Sequence, residues 1–156
     1  MVEFDSKNIL VVGGSGFIGA ALTRKLCSIG ASITILRLNK GASECGNDNL
    51  QYITADLQDV KCLQNCLKDH RFDYVFNASG YIDHASYWNG GRSIINTHFL
   101  GLLNLLDSID KTSLKGFVQL GSSDEYGLNP APQKEELREG SISPYAVAKT
   151  GATHLI

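Results

Sequence analysis

The chain has 156 residues, is 43% hydrophobic and carries a formal net charge of −2, which suffices for one globular domain with a sizeable core but not for two. The near-neutral charge and the lack of any Lys/Arg block exclude a nucleic-acid surface driven by phosphate neutralisation, so small soluble ligands are expected. No apolar run approaches a membrane span, and Met1-Val2-Glu3-Phe4-Asp5 lacks the basic start and apolar centre of a secretory signal, so the expectation is no membrane partner and a cytoplasmic location.

The first element is the apolar run Asn8-Ile9-Leu10-Val11-Val12, followed by Gly13, Gly16 and Gly19 and an amphipathic stretch from Phe17 to Ile29. A buried strand turning directly into a helix reads as a nucleotide-phosphate site. Gly13 permits the tight turn, Gly16 lets the backbone approach a pyrophosphate, and Gly19 lets the helix lie close on the strand. The helix then offers unpaired N–H groups and the positive end of its dipole. Ile18, Leu22, Leu26 and Ile29 recur at helical spacing. Alone, three spaced glycines also fit a plain tight connection; the strand, turn and helix context favours the dinucleotide.

Ser32 to Arg37 is predicted as a second strand and Leu50 to Thr54 as a third, followed by a helix from Gln58 to His70 and a strand at Tyr74 to Phe76 that ends in Asn77-Ala78-Ser79-Gly80. Arg92 to Ile109 places Ile95, Phe99, Leu102, Leu106 and Ile109 on one helical face, with Asn89-Gly90-Gly91 as a breaker ahead of it. Lys115 to Leu120 is a fifth strand. Ser143 is an N-cap and Pro144 the first position of a helix running to the chain end. This alternation predicts an α/β fold over residues 1–156, a Rossmann-like doubly wound parallel sheet with helices on both faces. Ligands bind such sheets at the carboxyl ends of the strands. Here those ends carry small and polar residues: Gly13 to Gly16, Ala55-Asp56, Asn77 to Gly80 and Gly121-Ser122-Ser123.

Cys27, Cys45, Cys62 and Cys66 show no paired Cys-x-x-Cys spacing, and His70, His84, His98 and His154 form no ligand set. Free thiols and no metal are expected. Near the carboxyl end, Tyr145 and Lys149 stand four residues apart and share one helix face. A tyrosine with an intrinsic pKa of roughly 10 is a poor base at neutral pH, and a nearby ammonium stabilises its phenolate. An ordinary pair, tyrosine packed and lysine solvated, fits the same spacing.

The segments Val12-Gly13-Gly14-Ser15-Gly16-Phe17-Ile18-Gly19, Asp56-Leu57, Leu120-Gly121-Ser122-Ser123-Asp124-Glu125-Tyr126-Gly127 and Tyr145-x-x-x-Lys149 together resemble the extended short-chain dehydrogenases/reductases. The resemblance is to their NAD(P)-dependent nucleotide-sugar epimerases, dehydratases and 4-keto reductases. Ser143 to Lys149 looks like the active-site helix of the GDP-mannose dehydratase and GDP-4-keto-6-deoxymannose reductase branch.

The resemblance implies hydride transfer at sugar C4, with Tyr145 exchanging a proton with the 4-oxygen and Lys149 holding the nicotinamide ribose. It puts Ser122 on the same sugar oxygen in an ungapped alignment, and Ser123 there if one residue is deleted before Tyr126. It also implies that Gly13, Gly16, Phe17, Ile18 and Gly19 cradle the cofactor phosphates, that Asp56 meets the adenine amino group beside Leu57, and that Asn77, Ala78 and Ser79 line the path to the nicotinamide. Asp124 and Glu125 are the acidic candidates for a 4,6-dehydratase; in the ungapped register Asp124 takes that family's usual glutamate position and Glu125 is displaced toward Tyr126, and an epimerase or reductase is the first expectation. The remaining alternatives are a dinucleotide-binding fragment without catalysis and a structural or regulatory dimerisation piece.

A NAD-selective site ends its second strand in an acidic residue; here Arg37 holds that position with Lys40 nearby. Positive charge favours a 2′-phosphate, so NADP is expected with NAD as the alternative; a solvated surface arginine is the competing reading. His98 replaces the asparagine of the resembled family's helix, either as a proton relay or as a buried, hydrogen-bonded core histidine. Relatives in the family continue for roughly as many residues again. The expectation is therefore a chain truncated before a carboxyl-terminal substrate lobe, acting on a nucleotide sugar and self-associating as a homodimer.

Overall fold

The computed structural model describes residues 4–40 and 49–156. Strands β1 (Asn8–Val12), β2 (Ser32–Arg37), β3 (Leu50–Thr54), β4 (Tyr74–Asn77) and β5 (Gly116–Gln119) form one parallel sheet in the order β3-β2-β1-β4-β5. The near-continuous apolar runs of β1 and β2 suit strands covered on both faces, and both lie inside the sheet. Val11 stands opposite Ile35 on one side and Phe76 on the other. The chain moves outward from β1 to β3 and then crosses back to β4, so strand order reverses beside β1.

Alternation along each strand divides the core into two layers. Ile9, Val11, Ile33 and Ile35 pack with Leu26 of helix α1 (Phe17–Ser28). Leu10, Val12, Leu36 and Val75 pack on the opposite face with Leu63 and Leu67 of α2 (Val60–Leu67) and Leu105 of α4 (Gly101–Ser108). This is the Rossmann-like, doubly wound arrangement expected from the sequence. Ahead of α4, the short helix α3 (Gly91–Ile95) and a π-helical stretch (Asn96–Leu100) form one continuous helical run with it. The last helix, α5 (Pro144–Leu155), starts at the predicted cap, where Ser143 Oγ accepts from Ala146 N–H at 3.1 Å.

Element bounds differ from expectation where local chemistry decides them. Helix α2 begins at Val60 rather than Gln58, because the Asp59 side chain accepts from Cys62 N–H at 3.0 Å and caps it. On α1, Leu26 is buried, yet Ile18 in its first turn is 54% exposed. Of the expected stripe Ile95, Phe99, Leu102, Leu106 and Ile109, Leu102 and Ile109 are buried, and the other buried apolar side chains of the 91–108 run are Ile94 and Leu105 rather than Ile95, Phe99 and Leu106. The sheet covers one side of this run and α5 another, where Phe99 lies against Gly151, so apolar residues spread over a wide arc.

Cys27, Cys62 and Cys66 are free thiols, and Cys45 lies outside the described residues. Among the described residues no helix is long and apolar enough to cross a membrane.

Leu105 is fully buried between α4 and the sheet. Leu105→Ala should cost about 2–5 kcal/mol of stability. Urea unfolding should show this as a lower midpoint at unchanged slope.

Candidate active site

The turn after β1 is built by backbone contacts that exclude side chains. Gly13 adopts φ +75°, and a Cβ there would lie 2.8 Å from the Ala78 carbonyl oxygen at the end of β4; a Cβ on Gly19 would lie 2.2 Å from the Gly13 carbonyl oxygen. Gly13 N–H donates to Leu36 O at 2.8 Å and Gly16 N–H to Gly13 O at 2.9 Å. The turn is thereby fixed to β2 and folded on itself. No side chain caps α1, and no acidic residue stands in its first turn. The N–H groups of Phe17, Ile18 and Gly19 therefore have neither an intrahelical acceptor nor a capping one.

Two clefts open at this turn and share Gly16, Ala78, Ser79, Gly80 and Tyr81. The first, of about 560 Å³, extends across the ends of β2 and β3 and is lined by Gly13, Arg37, Asp56 and Leu57. The second, of about 440 Å³, runs across the ends of β4 and β5 to α5 and is lined by Phe17, Ile18, His98, Ser122, Tyr145 and Lys149. A polar depression of about 340 Å³ near Asn8, Ser32 and His70 lies at the opposite end of the strands.

Ser122, Tyr145 and Lys149 are thus brought to one cleft, and Ser123 is not among its lining residues. Asn77 and Gly19 stand behind the walls. Asn77, 3% exposed, donates to Gln119 Oε1 at 2.8 Å and accepts from Ser79 Oγ at 2.6 Å, so it joins β4 to β5 and shapes the Ala78–Ser79 wall from within. Asp56 Oδ1 accepts from Gln58 N–H at 2.8 Å. Arg37 is buried, with its guanidinium 4.3 Å from the centre of the Tyr52 ring. A solvated surface arginine is therefore ruled out.

The second cleft has an unusually polar buried wall. Lys149 is 5% exposed; its ammonium donates to Leu120 O at 2.8 Å and lies 5.9 Å from the centre of the Tyr145 ring. Burial pushes the Lys149 ammonium below its ordinary pKa, partly opposed by Glu125. His98 is buried, packs edge-to-face with Tyr145 at 5.0 Å and has Nε2 at 2.8 Å from Tyr81 O. Of the two readings of His98, burial and hydrogen bonding match the core histidine. Burial, and to a lesser extent the Lys149 charge, hold its pKa below the usual imidazole value, against the raising effect of the Tyr81 carbonyl.

Tyr81 and the Leu120 carbonyl escaped the sequence reading. The first lies within the stretch without regular structure that follows β4, and the second is a backbone atom that no residue pattern marks. The Ser122 hydroxyl accepts from Asp124 N–H at 3.2 Å, leaving its proton for a ligand. Among the described residues no three of His, Cys, Asp or Glu gather as a metal site.

The family model that matches this chain is the NAD dependent epimerase/dehydratase family, over residues 9–156. A UDP-glucose 4-epimerase from Lactobacillus helveticus is 24% identical over 143 residues, covering 90% of this chain and 43% of the relative. A dTDP-glucose 4,6-dehydratase from Haemophilus influenzae is 27% identical, covering 96% and 50%. Among solved structures, an epimerase from Methanothermobacter thermautotrophicus superposes with TM-score 0.81 at 27% identity, over 97% of this chain and 47% of that one. The chain spans about half the length of the curated relatives it matches.

The lowered pKa of His98 has a signed consequence. Between the folded value and the unfolded value near 6.5 the unfolded chain binds more protons, so stability is full above that range and is lost as pH falls through it. Denaturant unfolding followed from about pH 7.5 to about pH 5 should show this decline, and His98→Asn should flatten it.

Proposed function

The chain belongs to the NAD dependent epimerase/dehydratase family, and on that premise we propose that it is the cofactor-binding, proton-transferring part of a nucleotide-sugar 4-epimerase or 4-keto reductase. One observation carries this reading: Ser122, Tyr145 and Lys149 line a cleft that continues past the glycine turn to the ends of β2 and β3. The turn fits a dinucleotide, since Gly13 and Gly19 let the ends of β1 and β4 and the start of α1 meet, Gly16 bares its backbone to both clefts, and the first turn of α1 presents N–H groups without a cap. When bound, the nicotinamide supplies hydride transfer at sugar C4.

The chain's own residues would position the sugar and move the proton. Tyr145 exchanges a proton with the 4-oxygen, and the Ser122 hydroxyl donates to the same atom. Lys149, anchored on Leu120 O, turns its remaining N–H groups to the nicotinamide ribose and supports negative charge on the phenol oxygen. At the other end Asp56 takes the adenine amino group beside Leu57. Ala78 and Ser79 form the wall between the two ends, held by Asn77.

A dehydratase needs acidic groups facing the sugar. Glu125 is 6% exposed and occupied by Ser122 N–H, while Asp124 stands 3.5 Å from His84 Nδ1. Neither lines the cleft, which supports an epimerase or reductase. Self-association belongs to the same reading, supported by the exposed Leu100, Val147 and Leu155.

Arg37 at the end of β2 supports NADP over NAD. Fluorescence titration should give NADPH at least about tenfold tighter binding than NADH, and Arg37→Asp should reverse the order. Equal affinities before and after the substitution would remove the argument.

Turnover of UDP-, dTDP- and GDP-hexoses by the whole enzyme carrying these residues tests the chemistry. Tyr145→Phe should lower kcat by about 10²–10⁴-fold with cofactor affinity nearly unchanged. Undiminished turnover would sink the assignment and leave a dinucleotide-binding module. Ser122→Ala should also impair turnover; if Ser123→Ala is the damaging change instead, the one-residue-shifted register is correct.

A further inference from the structure

The segment 120–122 is gripped at both ends by buried charged side chains. Lys149 Nζ donates to the Leu120 carbonyl at 2.8 Å, and Ser122 N–H donates to Glu125 Oε1 at 2.6 Å. Lys149 is 5% exposed and Glu125 6%. Between the two anchored residues stands Gly121, where a Cβ would lie 2.8 Å from Glu125 Oε1. The carboxylate makes its close approach over a residue with no side chain to block it. Glu125 is itself fixed, because its backbone carbonyl accepts from Gly140 N–H at 2.9 Å.

The geometry points to Glu125 as a positioning residue that, opposite Lys149, clamps the Leu120–Ser122 backbone and so sets the Ser122 hydroxyl in the cleft. This role rests on the function proposed for Ser122 and Tyr145. The ammonium holds a carbonyl oxygen and the carboxylate holds an N–H two residues on, so the two intervening peptide units lie between opposite charges. Both hydrogen bonds are charge-assisted. Rotating either peptide would leave a buried charge without its partner, which is strongly unfavourable. Ser122 keeps extended backbone angles, φ −151° and ψ 145°, and its oxygen accepts from Asp124 N–H. Its proton is left as the group that can meet a sugar oxygen. A carboxylate buried behind this backbone has no path to the substrate, so Glu125 acts through Ser122 and takes no proton from the sugar.

Two substitutions separate this role from its rivals. Glu125→Gln keeps an acceptor for Ser122 N–H and removes the charge, whereas Glu125→Ala removes both. For nucleotide-sugar turnover, Glu125→Ala should lower kcat by about 10²-fold with KM changed less than about threefold, and Glu125→Gln should stay within about tenfold of the parent. The double variant with Ser122→Ala should lose no more than Ser122→Ala alone. Hydrogen exchange at the Ser122 amide should quicken in Glu125→Ala and stay near the parent rate in Glu125→Gln. A Gln variant as damaged as the Ala variant, additive losses in the double variant, or unchanged amide exchange would each overturn the proposal. If the parent enzyme turns over no nucleotide sugar, or Tyr145→Phe turns over normally, the function proposed above fails and takes the positioning role with it. The amide exchange then still reports whether the clamp exists.

Discussion

Backbone meets backbone where β1 ends, and the site depends on that approach. The Gly13 turn lies so close to the Ala78 carbonyl that a single Cβ would collide with it, and α1 comes as close to the turn through Gly19. These contacts bring the start of α1 and the ends of β1 and β4 to one point. They hold the mouth of the sheet narrow enough for one ligand to touch all three. A side chain at Gly13 or Gly19 would force these elements apart, so the packing alone requires glycine at both positions.

Around that knot the interior departs from an apolar core. Tyr145, Lys149, His98 and Glu125 are all nearly excluded from solvent, and burial of ionisable groups is costly unless each is satisfied. The contacts that satisfy them are largely main-chain: Leu120 O for Lys149, Tyr81 O for His98 and Ser122 N–H for Glu125. The loops after β4 and β5 are consequently tied to the two helices that carry the site. Their shape and the electrostatics of the cleft are set by the same hydrogen bonds.

Much of this architecture was legible from residue order. The apolar runs of β1 and β2, the glycine spacing and the Ser143-Pro144 start of α5 each have a local cause, and each appears where that cause puts it. Less legible were features decided by two elements at once. The apolar residues of the 91–108 run are shared between the sheet and α5, so a single stripe identified Leu102 and the adjoining Ile109 but missed Ile94 and Leu105. Asn77 sits at a strand end, where a polar residue suggests ligand contact, but the neighbouring β5 supplies Gln119 and draws its amide inward. The interior location of Arg37 depends on Tyr52 of the adjacent strand, a partner that sequence separation conceals. The Ser122 or Ser123 alternative turned on a one-residue register that only the turn after β5 resolves into different surroundings.

The contact between Gly80 and His98 places unequal limits on how this site can diverge. Gly80 has φ +115°, and a Cβ there would stand 2.1 Å from His98 Cε1. The backbone conformation alone demands glycine, and the space thus left open is filled by the imidazole. A descendant that exchanges His98 for a smaller polar residue gains a pocket beside the cleft into which water can move and bond the Tyr81 carbonyl. A descendant that first exchanges Gly80 meets both a strained backbone and a collision. Divergence therefore has an ordered route here, in which residue 98 can change only to a group, or a group with water, that still bonds the Tyr81 carbonyl, while residue 80 stays fixed.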